Sequence, residues 1–290
     1  MMKKPSVLII ILFALLVLIW GSAFILIKKS LLYFSPIEVG AGRIFFACIT
    51  LFPFAIRQLK KINKSDLGFV VLSGALGSFA PAILFALAQS TVSSGYAAIM
   101  SGLTPVFTIL VGILFYKQRI VLLQLIGVLL SFSGAILLLF QGLDFSKIEW
   151  LASSFIVVAT ICYALNLSLV KFKLKAIHPM QIAAVSLLFM GPIAAIVLSY
   201  FGFFQFEFSN PIFKQAFISL SILGITSTAI ALVLFNKLLK IASPILASSI
   251  TYAIPIVALS WGFVDGEQLS IIHFIGLTLI LGGVFLIAKK

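Results

Sequence analysis

The stretch "SGYAAIMSGLTPVFTILVG" (residues 94–112) is apolar enough to form a buried helix, yet Pro105 stands near its centre. A second stretch, "SPILASSITYAIPIVALSWG" (residues 243–262), repeats this arrangement around Pro255. A proline inside a helix costs about 3 kcal/mol, because it removes one backbone hydrogen bond and crowds the preceding turn. Two such prolines, 150 positions apart, indicate a feature that the chain contains twice.

The composition indicates a protein whose solvent is lipid. Of 290 residues, 62% are hydrophobic and only 9% are charged, and the mean hydropathy is +1.28. A soluble domain has about 25% charged residues. The net charge of +13 does not indicate a nucleic-acid partner, because so little aqueous surface is left for a phosphate-binding face. Basic residues that face anionic lipid explain the charge better, so the predicted partner is the bilayer.

Ten runs of the chain approach the roughly 20 apolar residues that a transmembrane helix needs. The connections between them are short, which predicts one all-α membrane domain of ten transmembrane helices. The ten runs are residues 7–27, 37–55, 67–88, 95–116, 120–140, 150–170, 180–204, 216–235, 245–264 and 271–288.

The lysines and arginines of the loops predict the orientation. With the N-terminus in the cytoplasm, the inner segments contain 15 of these residues and the outer segments contain 4, while Arg43 lies within a span. We therefore expect a multi-pass protein of the cytoplasmic (inner) membrane, with both termini in the cytoplasm.

The two halves of the chain resemble each other. "WGSAFILIKK" (residues 20–29) aligns with "YALNLSLVKF" (residues 163–172) at an offset of 143, and later positions align at about 150. Residues 1–142 and 143–290 are thus predicted to be two repeats of five helices. Because five is odd, the second repeat enters the membrane from the opposite side, an arrangement typical of secondary transporters with a central cavity. Single positions match in order at an offset of 150: Gly74 with Gly224, Ser78 with Thr228, Gly112 with Gly262.

Glycines recur two helical turns apart on the fifth and tenth runs. Small residues let transmembrane helices approach closely, so these positions predict a helix–helix seam. The seam lies either between the two repeats or between two chains of a homodimer, and the sequence leaves both open. The glycines are Gly127 and Gly134 on the fifth run and Gly276 and Gly283 on the tenth.

Several segments are similar to one known family. "PIEVGAGRIFFA", "YAAIMSGLTPVFTILVGILF" and "LIGVLLSFSGAILLL" resemble the first half of the drug/metabolite transporter superfamily, in particular its EamA-type members, and "FIGLTLILGGVFLI" resembles the end of the second half. The resemblance implies two repeats around a cavity and transport of amino acids or other small metabolites, often outward. The family usually has Glu after both the fourth and ninth helices, whereas here Gln118 follows the fourth and Glu267 follows the ninth.

The prolines and one charge are the first candidates for function. We expect Pro105 and Pro255 to act as paired hinges beside a central cavity, since each frees a carbonyl four residues earlier, at Ser101 and Thr251. An ordinary packing kink remains the alternative. Arg43 is an intramembrane charge, which usually faces protein or a wet cavity. It either binds a carboxylate of the substrate or has a structural role, in which it snorkels outward or bonds helix-end carbonyls.

Aromatic and small polar residues deep in the runs complete the predicted substrate site. Aromatic rings with a few hydrogen-bonding groups suit small amphipathic molecules, although ordinary packing explains any single one of them. Asn166 is the strongest candidate, because a buried amide needs several partners. The predicted substrate-binding residues are Trp20, Ser22, Arg43, Ser78, Ser101, Tyr163, Asn166, Thr228, Thr251 and Tyr252.

Missing groups limit the chemistry. The runs contain no deep carboxylate, which argues against proton-coupled carriers of cationic drugs, and no pair of deep cations for a phosphate. We expect no metal, no cofactor and no enzymatic activity, because no acid–base, nucleophilic or ligand cluster is apparent. The predicted function is export of amino acids or similar neutral or zwitterionic metabolites; a channel, or a non-transporting receptor or scaffold of the same fold, is the alternative.

Overall fold

Fourteen α-helices make up the regular structure of the parts of the chain described by the computed structural model, which are residues 7–139, 149–264 and 271–288. The all-α prediction is confirmed for these residues. In chain order the helices are α1 Val7–Ser30, α2 Pro36–Leu59, α3 Lys64–Gly74, α4 Ala80–Gln89, α5 Ser94–Met100, α6 Thr104–Tyr116, α7 Leu122–Leu139, α8 Trp150–Phe172, α9 Pro179–Tyr200, α10 Pro211–Gly224, α11 Ala231–Ile241, α12 Pro244–Ser248, α13 Ile250–Val264 and α14 Ile271–Ala288.

Helices occupy all ten predicted runs, and seven helical segments among the described residues are long and apolar enough to cross a membrane. The other three runs contain shorter apolar stretches, at Leu122–Gly134, Pro244–Val257 and Thr278–Ala288. Glu267, which follows the ninth run in the sequence, lies outside the described residues. The seven long segments are Val7–Ser30, Pro36–Leu59, Lys64–Gln89, Ser94–Tyr116, Trp150–Phe172, Pro179–Tyr200 and Pro211–Ile241.

The second and seventh runs begin with similar helix caps, at positions 35 and 178, which the offset of 143 aligns. Ser35 precedes α2, and its side chain accepts a hydrogen bond from the backbone N–H of Glu38, whose carboxylate accepts from the N–H of Ser35. His178 and Gln181 form the same reciprocal pair before α9. Such capping boxes satisfy N–H groups that a helix start leaves without partners. Glu38 is therefore occupied at a helix end, well away from the middle of the span.

The prediction that the seventh span extends to residue 204 is wrong. α9 ends at Tyr200, and Gly202 then adopts a positive φ of 75°, a conformation that turns the chain and favours glycine. The phenylalanines beyond the turn pack against other rings: Phe203 lies 5.0 Å from Phe34 and 6.4 Å from Phe217, between ring centroids. A run of aromatic residues that resembles membrane-spanning sequence here forms a cluster at one end of the bundle.

Pro105 does not lie inside a continuous helix, contrary to the prediction. The fourth run divides into α5 and α6 around a 3₁₀ turn, Ser101–Leu103, and Pro105 occupies the first turn of α6. A proline is well tolerated there, because its missing N–H has no partner in a helix start. The Ser101 carbonyl accepts two hydrogen bonds from Thr104, one from its backbone N–H and one of 2.7 Å from its hydroxyl. Pro255 does lie inside a helix, α13.

Contacts between the two halves follow a two-fold pattern. α2 packs against its counterpart α9, and α7 packs against its counterpart α14. α1 contacts α10, α11 and α13 of the second half, while its counterpart α8 contacts α3, α4 and α6 of the first half. The helices that the sequence aligns therefore occupy equivalent places in the bundle.

The glycines of the fifth and tenth runs meet each other within the chain. A Cβ built on Gly127 would lie 2.6 Å from the carbonyl oxygen of Gly283, and one on Gly134 would lie 2.7 Å from that of Gly276. Because the earlier glycine of α7 faces the later glycine of α14, these helices run antiparallel. The sequence left open whether these glycines pack between the two repeats or between two chains, and in the structure they pack between the two repeats. A homodimer through the same faces would require this seam to open, and the homodimer remains an untested expectation.

Gly283→Ala is expected to destabilise the protein, because the new methyl group would lie 2.7 Å from the backbone nitrogen of Ser131 in α7 and closer still to the Ser131 hydroxyl and the Gly127 carbonyl. Forcing two packed elements apart costs about 1–3 kcal/mol. The neighbouring Gly282→Ala is the control, since its nearest contact would be an ordinary 3.8 Å to Leu130. Thermal unfolding in detergent should show a lower Tm for the first variant alone; equal Tm values would contradict the tight seam.

Candidate functional site

A cavity lies where the interrupted helices of both halves meet. It contains about 970 Å³ of space not filled by protein atoms, part of which is open to solvent. From the first half, α1, α2 and the interrupted segments α3–α4 and α5–α6 line it. From the second half, α8, α10–α11 and α12–α13 line it. The wall is therefore built from matching elements of the two repeats.

The structure brings eight of the ten predicted substrate-binding residues to this one cavity. Ser22 is half-buried in α1 and is not part of the wall. Tyr252 is fully buried behind it, with its ring carbon Cε1 3.3 Å from a Cβ built on Gly102. Contact of any of these residues with a substrate remains a prediction. The eight on the wall are Trp20, Arg43, Ser78, Ser101, Tyr163, Asn166, Thr228 and Thr251.

Two turns of π-helix, Ala75–Phe79 and Ile225–Ile230, are the feature of the wall that the sequence did not reveal. They join α3 to α4 and α10 to α11, and they place Ser78 and Thr228 on the cavity at equivalent positions. π-turns are rare and occur frequently at functional sites. The alignment of Gly74 with Gly224 marks the right places, but no residue type there signals the wider turn.

Arg43 reaches the cavity from α2 and is anchored by the second π-turn. Its Nε donates a 3.0 Å hydrogen bond to Oγ1 of Thr228. The Thr228 hydroxyl in turn donates to the carbonyl of Leu223, at 3.3 Å. Gly224 permits this approach, because a Cβ there would lie 2.8 Å from the carbonyl oxygen of Arg43. One guanidinium nitrogen is thus occupied by the protein, while the side chain still lines the cavity.

The charge on the wall is of one sign. Arg43 is the one ionised side chain among the described residues that line the cavity, and no carboxylate is among them. A cation in an apolar site is costly unless it is hydrogen-bonded or paired. The single bond to Thr228 leaves room for an anionic partner supplied by a ligand.

Asn166 belongs to α8 of the second half, and residues of the first half hold its side chain in place. The hydroxyl of Ser73 donates a 2.6 Å hydrogen bond to its Oδ1. A side chain at position 77 would collide with the amide, since a Cβ built on Gly77 lies within 2.6 Å of Cγ of Asn166. The first π-turn therefore needs glycine where Asn166 docks. This fixes the amide of Asn166 at the cavity wall.

Aromatic rings form a large part of the apolar wall. Trp20 donates from Nε1 to the carbonyl of Ser227 at 3.0 Å, and its ring lies 5.0 Å from that of Phe235. Phe85 stacks on Tyr163 at 6.1 Å between centroids. Phe85 and Phe235 were not predicted, because the chain has 29 phenylalanines and nothing in the sequence distinguishes these two.

The EamA-like transporter family model matches the chain twice, over residues 7–140 and 150–289. The chain belongs to this family. The resemblance seen in the sequence to the drug/metabolite transporter superfamily is thereby confirmed. The two matches, one in each half, also agree with the internal repeat.

Several curated proteins are similar to the chain over most of its length. An uncharacterized transporter of Archaeoglobus fulgidus is 27% identical over the whole of both chains. The uncharacterized inner membrane transporter YedA of Escherichia coli is 26% identical, over 95% of this chain and 89% of its own. A probable terminal-alkyne amino-acid exporter of Streptantibioticus cattleyicolor is 24% identical, over 95% and 92%. A solved crystal structure shares the fold, with a TM-score of 0.73, 14% identity and coverage of 95% and 94%.

Thr228→Val is expected to lower stability, because it removes the acceptor for Arg43 and leaves the Leu223 carbonyl without this donor. Hydrogen bonds to charged groups contribute about 1.5–3 kcal/mol each. Thr226→Val in the same turn is the matched control, since the Thr226 hydroxyl donates to the Ile222 carbonyl four residues earlier and lies 3.4 Å from Oγ of Ser227, without a bond to Arg43. A lower Tm for Thr228→Val than for Thr226→Val checks the anchor, and the reverse order would contradict it.

Proposed function

We propose that the protein is a secondary transporter that moves small metabolites through the cavity by alternating access. The observation that carries this proposal is a single cavity whose wall combines equivalent elements of both halves, with π-turns at matching positions. A site shared by two repeats is what alternating access requires, because rocking one repeat against the other exposes the site to each side in turn.

The proposed architecture is ten transmembrane helices in two inverted repeats, residues 1–142 and 143–290. Three observations support it: the family model matches each half, the contacts between halves are two-fold, and the counterpart helices α7 and α14 run antiparallel. The proposed location is the cytoplasmic (inner) membrane with both termini in the cytoplasm. The excess of lysine and arginine in the corresponding loops supports this orientation.

The proposed cargo is a small amphipathic molecule with one carboxylate, such as an amino acid. The carboxylate would bind Arg43, while the apolar part would lie against the aromatic wall. The name of the Streptantibioticus relative, a probable terminal-alkyne amino-acid exporter, supports both this class and the outward direction. Hydroxyl and amide groups of the wall, above all Asn166, would bind the polar groups that remain.

The interrupted fourth and ninth segments are the proposed hinges. α5 and α6 meet at a 3₁₀ turn beside Pro105, and the ninth segment breaks at Ser249, six residues before Pro255. Both breaks adjoin the cavity, through Ser101 and Ser248. Bending at these points would change access to the cavity without moving whole helices through lipid.

Counterflow into proteoliposomes against a panel of amino acids, purines and drugs is the test of the function. We expect saturable uptake of a carboxylate compound, and a reduction of about tenfold or more in Arg43→Gln, because truncating one partner of a buried charge pair costs about 2–5 kcal/mol. Asn166→Ala should also reduce uptake. Arg57→Gln is the matched control, since Arg57 is exposed in the last turn of the same helix.

The same assay separates binding from a structural role of Arg43. If Arg43 binds the carboxylate, Arg43→Gln should impair uptake of the acid and spare uptake of its carboxamide analogue, which lacks the carboxylate. Equal losses for acid and amide would assign Arg43 a structural role. Unitary currents would favour a channel, and an absence of saturable flux across the panel would favour a receptor or scaffold.

The hinge proposal predicts that the double variant Pro105→Ala, Pro255→Ala transports more slowly, because α13 regains a backbone N–H at position 255 and α6 loses the ring that favours a helix start after the 3₁₀ turn. Its affinity for cargo should change little, since neither proline lines the cavity. Initial rates and half-saturation concentrations measure the two effects. If the double variant transports at the same initial rate as the parent protein, the hinge proposal is contradicted.

A further inference from the structure

Two lysines tie the ends of α8 and α11 together. The ammonium Nζ of Lys171, near the end of α8, donates to the carbonyls of Leu239 at 2.9 Å and Ala242 at 2.6 Å. Reciprocally, Lys240 of α11 donates to the carbonyls of Leu174 at 2.8 Å and of Lys175. We call these two lysines and their four carbonyl acceptors the lysine latch.

The lysine latch is stronger than ordinary surface contacts of lysine. The last carbonyls of a helix have no partner within it, and they lie at the negative end of the helix dipole. Lys171 supplies charge-assisted hydrogen bonds to carbonyls at the end of α11, and Lys240 supplies them to the carbonyls of Leu174 and Lys175, in the segment that follows α8. Separating α11 from α8 and from this segment therefore breaks four such bonds at once.

The latch closes one end of the bundle beside the cavity. On α8, Asn166 and Leu167 line the cavity, one turn before Lys171; on α11, Phe235 lines it, one turn before Leu239. Between the cavity and the latch the side chains are closely buried: Leu238, Leu239 and Ile245 are exposed to 1% or less.

Two polar side chains are buried among these residues. Ser168 and Asn236 each lie three residues before a member of the latch, and both are buried to 1% exposure or less. In the part of the chain that the structure describes, Oγ of Ser168 and both polar atoms of the Asn236 amide have no hydrogen-bond partner. Buried polar groups without partners are costly, and water would relieve the cost if this end opened.

At the opposite end of the bundle, the described residues do not form such a latch. In the repeat, Lys28 at the end of α1 is the counterpart of Lys171. Lys28 is exposed, and no hydrogen bond joins its ammonium to a described residue. The two ends of a two-fold structure thus differ, as they must in any one state of alternating access.

We infer that the contact between α8 and α11 is a gate of the transport pathway, that the lysine latch holds it closed in this structure, and that opening it exposes Ser168 and Asn236 to water. This inference rests on the proposed transport function, which it deepens by assigning the closed end. The positive-inside count places this gate on the cytoplasmic side.

Thiol labelling of Asn236→Cys tests the gate without requiring transport. The background is Cys48→Ala, Cys162→Ala, which removes both native thiols. In sealed vesicles, a membrane-impermeant maleimide added to either face should label the parent slowly. Lys171→Met, Lys240→Met and their combination should each raise the rate by about tenfold or more, from the face that carries these lysines alone, because each loses charge-assisted bonds.

Lys173→Met is the matched control, since it removes the same charge from the same end, where its side chain is exposed and has no part in the latch. Equal labelling rates in Lys173→Met and both latch variants would overturn the inference. The inference would also be overturned if the parent, with its cysteine at position 236, were labelled as fast as a Lys173→Cys protein, whose cysteine is at an exposed position. If the latch variants are labelled faster but the protein shows no flux, the opening of this end is supported and the transport function is contradicted. If the protein shows flux but labelling is unchanged in the latch variants, the transport function is supported and the gate is contradicted.

Discussion

A helix that breaks inside a bilayer must find new partners for its backbone, because lipid offers none. This constraint explains where the chain departs from regular helix. The Ser101 carbonyl is bonded by the Thr104 hydroxyl, and the Leu223 carbonyl by the Thr228 hydroxyl. Both breaks adjoin the cavity, where backbone irregularity is tolerated. The shape of the cavity follows from breaks that occur in both repeats.

The guanidinium of Arg43 adds a second constraint to the first. Its hydrogen bond to Thr228 joins α2 to the π-turn beside the Leu223 carbonyl. The Thr228 hydroxyl therefore accepts a hydrogen bond from the charged group and donates one to this backbone carbonyl. The close approach depends on Gly224, which has no side chain to separate the helices. As the wall supplies one cation and no carboxylate among the described residues, the balancing negative charge is expected from the cargo.

The fold was largely predictable from the sequence, because hydropathy and repeat offsets report on long stretches of chain. Eight of the ten predicted site residues line one cavity, since the repeat brings Ser78 and Thr228, or Ser101 and Thr251, to equivalent depths. Local geometry was not predictable: neither π-turn has a sequence signature, and a hydropathy run cannot show that Pro105 begins a helix or that Gly202 ends one.

The most direct test of the shared pathway is a structure of the protein with a transported carboxylate compound bound. The cargo should lie between the two repeats, with its carboxylate within hydrogen-bonding distance of Arg43 and its apolar part against Trp20 and Phe85. Cargo bound outside this cavity, with the Arg43–Thr228 bond and the cavity wall unchanged, would contradict the central claim.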